Sequence, residues 1–133
     1  MRQYTGTNHT KWMTLVACNM LRPANFTSMA NNGKLPIGDG LHLLLGSETT
    51  MYASTPMGTL YASNLVAGVT IQNSWYNCAA DAYTANSRGI TNKVTLRVVG
   101  QDNCFADTLS VNQDPDVNTA FQIKDKDVFT PSP

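Results

Sequence analysis

The sequence predicts an all-β domain: an antiparallel β-sandwich or jelly roll, or a small β-barrel, of about seven or eight strands with little helix. Three observations predict it. Thr and Val are common while the helix formers Glu and Lys are scarce. Short apolar or alternating runs recur along the chain. Clusters of Gly, Pro, Asn and Asp separate them, and these residues either accept positive φ or fix their own.

Residues 1–10 are polar and without period, and read as an N-terminal arm. Lys11 to Leu21 (KWMTLVACNML) is the first apolar run, a buried strand by composition, with a short buried helix left open by periodicity alone. Turn chemistry fills Arg22–Asn25 and Asn31–Gly40. Leu41–Leu45 (LHLLL) is a compact strand closed by Gly46, and Thr49–Ser54 reads as another. Thr59–Ala67 is ambiguous between helix and coil. Val69–Tyr76 (VTIQNSWY) alternates, which predicts a half-buried strand with Trp75 and Tyr76 on opposite faces.

Asn77–Gly89 is small and loop-like. Lys93–Val99 (KVTLRVV) is the clearest strand, with Val94, Leu96 and Val98 on one face. Cys104–Val111 and Ala120–Ile123 are further strand candidates. Lys124–Asp127 is a solvated charge run, and Val128–Phe129 docks before a Pro-rich tail at 130–133. The organisation expected is thus an arm at 1–10, a single β domain at 11–129 and the tail.

Composition bounds the function. The chain has 133 residues, enough for one domain with its own core. Only 14% of residues are charged, against roughly 25% in ordinary soluble domains. Thr, Asn, Ser, Ala and Gly make up the difference. The formal net charge is zero and the basic residues are scattered, which argues against nucleic-acid binding. No run of 18 apolar residues exists to span a membrane, and the early Arg2 is not followed by a signal-peptide core. With Met1 as the start, synthesis in the host cytoplasm is expected.

Motifs for chemistry are mostly missing. There is no phosphate-binding glycine loop, no nucleophile elbow and no H-E-x-x-H. The two histidines, His9 and His42, and the three cysteines, Cys18, Cys78 and Cys104, lack zinc-ligand spacing. Buried free thiols are the expectation, with one disulfide as the alternative. The carboxylates Asp39, Glu48, Asp81, Asp102 and Asp107 read as caps and surface charge rather than a catalytic pair. Asp114-x-Asp116-x-Asn118 resembles the first half of a calcium loop, but Thr119 stands where glycine is needed, so a Pro-pinned turn is the better reading. The sequons at Asn8 and Asn25 carry little weight in a chain rich in Asn and Thr.

These features lead to an expected structural role without catalysis, metal or cofactor. The specific expectation is a virion protein, a bacteriophage capsid decoration or cement subunit or a related tail or fibre module. It would bind itself or the major capsid subunits, with Trp75, Tyr76 and Tyr4 as interface anchors. The alternative is a lectin-like, carbohydrate-binding β-sandwich that uses an exposed ring and polar loops on a glycan.

Overall fold

The computed structural model describes residues 10–25, 40–86, 93–116 and 120–129. It corrects the all-β expectation. A single four-stranded mixed sheet is packed against two long helices. The strands are β1 (Trp12–Thr14), β2 (Leu43–Ser47), β3 (Lys93–Gly100) and β4 (Gln122–Phe129), in that spatial order. The helices α1 (Thr55–Val66) and α2 (Ile71–Asn86) lie between β2 and β3 in the chain. The domain is a small α/β fold and not a jelly roll, sandwich or barrel.

β1 runs parallel to β2, pairing Trp12 with Leu43 and Thr14 with Leu45. β2 and β3 are antiparallel, with Leu45 opposite Val98. β3 and β4 are antiparallel, with Arg97 opposite Asp125. Alternation along each strand sorts the side chains. Leu43, Leu45, Val94, Leu96 and Val98 enter the main core with the helices. Leu44 and Val99 point the other way, into a smaller cluster with Leu21 and Leu41 against which Met13 and Leu15 pack.

Each departure from the expected strands has a local cause. Val69–Tyr76 alternates only within an eight-residue window. Extended to residue 83, its buried residues are Ile71, Ser74, Trp75, Tyr76, Cys78, Ala79, Ala82 and Tyr83, a stripe dominated by spacings of three and four. Half of that stripe is Ala, Ser and Cys, too small to register as an apolar period. Thr70 caps α2, its Oγ1 accepting the N–H of Asn73 at 3.2 Å. The ambiguous Thr59–Ala67 is helical because Pro56 sits in the first turn of α1 and Gly68 ends it. Gly68 has φ +81°, its N–H bonds the carbonyl of Leu65, and that of Val69 bonds Asn64, which closes the helix in a Schellman motif.

Thr49–Ser54, expected as a strand, is the irregular lead into α1. Cys104–Val111, expected as a strand, is a 3-10 turn at Asp102–Cys104 followed by irregular chain. The solvated charge run Lys124–Asp127 is the middle of β4. The arm expected at 1–10, apart from Thr10, and the tail at 130–133 lie outside the described residues.

Trp75 fixes α2 to the sheet. It is fully buried and donates its indole N–H to the carbonyl of Gly46 at 3.1 Å. Tyr76, one residue on, donates its hydroxyl to the carbonyl of Lys124 at 2.8 Å, and burial pushes its phenol up to about 12. One helix is thereby tied to β2 and to β4. Each such ring contributes roughly 2–3 kcal/mol by leaving water.

Candidate functional site

Trp75 and Tyr76, expected on opposite faces of a strand with one ring outward, both lie inside the core on α2. Neither presents a ring to solvent in the isolated chain. Tyr4 and His9 lie outside the described residues. Two other features of the molecule stand out: a buried polar cluster and an uncharged surface.

The polar cluster centres on Asp107. One of its carboxylate oxygens lies 2.7 Å from Nδ1 of His42 and accepts the indole N–H of Trp12 at 3.0 Å. The other accepts the backbone N–H of Gln113 at 3.2 Å. Its backbone carbonyl accepts the N–H of Ile71, at the start of α2, at 2.8 Å. The Trp12 and His42 rings meet edge to face. Among the described residues, His42, Cys104 and Asp107 form a group whose donor atoms lie within 4.8 Å of one another, as a metal site would require. All three are buried, and the Asp107 oxygens already have protein donors. Burial and the nearby Asp107 charge push the Cys104 thiol up to about 12, so in the metal-free chain it stays protonated at neutral pH. The arrangement acts as a polar rivet joining β1, β2, α2 and the loop after β3.

The remaining candidates resolve simply. Asn103 holds the Asp114–Asp116 segment, donating to the Asp114 carbonyl at 2.7 Å and accepting from the Asp116 N–H at 3.3 Å. The described part of that segment is irregular chain rather than the expected turn, and Asn118 lies outside the described residues. Cys78 and Cys104 are buried free thiols, while Cys18 is free and exposed, contrary to the expectation for that residue. Glu48 is a partner of Arg97.

The uncharged surface is built by α1. Met57 is buried, and Leu60, Tyr61 and Leu65 pack partly under the helix. The opposite side shows Thr55, Pro56, Gly58, Thr59, Ala62, Ser63, Val66 and Ala67 to solvent. Beside the first turns lies an apolar cleft of about 280 Å³, walled by Thr14 at the end of β1 and Val16 beyond it, by Ser54 and Met57, and by Tyr61. Trp75 and Cys78 of α2 also line it. Thr14 Oγ1 and the Tyr61 hydroxyl bond each other at 3.1 Å across the wall. A shallow groove continues from Gly58 along the helix to Ala67. The signal for this surface was present in the sequence but unused: no Asp, Glu, Lys, Arg or His stands between Glu48 and Asp81.

Fold and site together define a small mixed α/β domain with a closed polar interior and an uncharged helical face. The chain belongs to the family described as a domain of unknown function, DUF6345, whose model matches residues 2–127. No curated protein and no solved structure matches the chain.

Proposed function

We propose that this domain is a structural, assembling module that docks onto a protein partner through the outer side of α1 and the adjoining cleft. The observation that supports it is the exposed side of a twelve-residue helix without a single charged group. A helix side that stays in water normally carries charge. The cores of protein interfaces are depleted in Lys, Glu and Asp.

Gly58 adds an independent reason. It sits inside α1, where glycine costs roughly 0.5–1 kcal/mol relative to alanine. A Cβ placed there would meet nothing within 4 Å, and its φ is not positive. Nothing among the described residues needs a glycine at this position, whereas a neighbour approaching from outside does. Val16, half-exposed at the rim of the cleft, extends the apolar surface.

In its specific form this reading is the virion module set out above, with capsid subunits as partner. The expected jelly roll was one support for that form, and the mixed sheet removes it. The neutral surface is the support that remains.

The test is the accessibility of the face in the assembled state. The full chain carrying Ala62→Cys is expressed in its own cells and exposed to a membrane-permeant maleimide, and each thiol is read by peptide mass spectrometry. Cys18, exposed in the fold, serves as reference. Residue 62 is expected to label about tenfold more slowly in cells than in the dilute purified chain. Equal rates overturn the proposal.

A further inference from the structure

We infer that His42, Cys104 and Asp107 form a binding site for a divalent transition metal of the zinc class, which locks the interior where β1, the lead into β2 and the chain after β3 meet. It stands apart from the docking reading above. Zinc is held in a tetrahedral shell by Cys, His and Asp side chains. The three residues bring one of each, with donor atoms within 4.8 Å of one another. Local structure supplies the pairing that zinc sites use. Cys104-Phe105-Ala106-Asp107 sets two residues between its ligands, as C-x-x-C zinc motifs do. The Asp107 N–H closes that turn on the Cys104 carbonyl at 3.0 Å. The spacing is silent in the sequence because its second ligand is Asp and its third, His42, comes from another strand end.

Asp107 is oriented as a ligating carboxylate is. The Trp12 indole and the Gln113 N–H hold one oxygen each, an outer shell ready-made. The oxygen that Trp12 holds also faces His42 Nδ1 at 2.7 Å. A metal ion set between them takes the place of the proton there, which passes to Nε2 so that the ring stays neutral. The two atoms then part to about 3.3 Å, the separation across a tetrahedral zinc shell. Charge selects the ion. His42 and Asp107 are 2% exposed and Cys104 is wholly buried. Among the described residues no Lys or Arg forms an ion pair with the Asp107 carboxylate. Ligation breaks the Cys104 S–H bond, forms a sulfur–metal bond and sends the proton to solvent. Thiolate and carboxylate then carry two negative charges, and a divalent ion cancels both, so no net charge stays buried. The thiolate disfavours Mg2+ and Ca2+, which prefer oxygen ligands.

The experiment is a titration of the full, reduced chain with Co2+ and then Zn2+, after a chelator has stripped it of metal. The chain carries Cys18→Ser, because that exposed thiol would bind the probe by itself. Each addition is left to equilibrate, since the ion enters by local opening. Co2+ is expected to bind one to one, with a thiolate-to-metal charge-transfer absorption and the visible bands of a tetrahedral ion, and Zn2+ to bleach both. Zn2+ affinity should rise about tenfold per pH unit near neutrality, as one displaced thiol proton requires. Cys104→Ala should abolish the charge-transfer absorption. Trp12→Phe leaves all three ligands but removes the indole donor to Asp107, and should weaken Zn2+ binding by about 10–100-fold. It keeps the test decisive where Cys104→Ala fails to fold. A folded chain without thiolate absorption overturns the inference. So does an absorption that persists in folded Cys104→Ala, or a Zn2+ affinity that ignores both pH and Trp12→Phe.

Discussion

Asp107 and His42 face each other across 2.7 Å in the interior, joining the irregular chain after β3 to the strand end that enters β2. The same carboxylate oxygen holds the Trp12 indole, and the other holds Gln113 N–H. Asp107→Ala would take the partner from the buried His42 ring and the acceptor from the part-buried N–H groups of Trp12 and Gln113. The expected loss is about 3 kcal/mol, seen as a lower urea midpoint. Asp107→Asn keeps a carbonyl acceptor in place and should lose less, about 1–2 kcal/mol. Equal stability of Asp107→Ala and the unmodified chain would show that the cluster does not hold the fold together.

Two glycines should answer the same substitution with opposite signs. A Cβ on Gly100 would stand 2.4 Å from the His42 carbonyl and 2.6 Å from a Leu43 methyl. Gly100→Ala therefore forces β2 and β3 apart, at a cost of about 2–3 kcal/mol. Gly58→Ala meets nothing within the chain and removes backbone entropy from the unfolded state, so it should stabilise the isolated chain by about 0.5–1 kcal/mol. Paired thermal melts of the two variants check both signs.

The same contrast shows what the sequence reveals and what it hides. Lys93–Val99 was legible because its Val and Leu residues alternate strictly, and β3 pairs on both sides. β2 was legible as a short Leu run. α2 was hidden because Ala79, Ala82, Ser74 and Cys78 complete a helical stripe that large residues alone do not draw. β4 was hidden because its charges are satisfied across the strand pair. Asp125 holds Arg97, Asp127 holds Thr95 and Lys93, and Lys124 stacks on Phe105. The polar rivet at Asp107 joins residues far apart in the chain, and no local spacing announces it. The uncharged face could have been found by charge mapping, since Glu48 and Asp81 bracket it.

Alkali should unfold the domain before it unfolds a protein without buried thiols. Burial pushes Cys78 up to about 11, and Cys104 and Tyr76 up to about 12. The folded values lie above the unfolded ones, so the neutral forms favour the folded state. Their contribution is complete below pH 9 for the thiols and below pH 10 for the phenol, and it is lost as pH rises through 11 and 12. The urea midpoint should fall steeply over that window. At neutral pH a thiol reagent should modify exposed Cys18 at once, and Cys78 and Cys104 only on unfolding. Rapid modification of all three in the native protein would contradict the burial on which this rests.

The ion pairs of Arg97 and of Lys93 should differ sharply in worth. Arg97 grips Asp125 with a fork, Nε at 2.8 Å from one oxygen and Nη2 at 2.7 Å from the other. Nη2 also meets Glu48 at 2.9 Å, and Nη1 donates to the Leu21 carbonyl at 2.9 Å. The neighbouring carboxylates hold the guanidinium above its ordinary value, and its side chain is 9% exposed. Arg97→Ala takes the donor from the Leu21 carbonyl and from two partly exposed carboxylates, and should cost about 2 kcal/mol. Arg97→Lys restores the charge without the fork and should recover only part of that. Lys93 is far more exposed than Arg97, and solvent screens its pair with Asp127. The Lys93 ammonium and the Thr95 hydroxyl still hold Asp127 below its ordinary value. The small stability from this contact is therefore present at neutral pH and lost as pH falls through the carboxylate range. Lys93→Ala should shift the midpoint barely, and not at all in high salt, whereas the loss from Arg97→Ala should persist there. Denaturation of both variants at low and high salt decides the matter. Salt that erases the Arg97 effect would place that side chain on the surface rather than in the clamp between β2, β3 and β4.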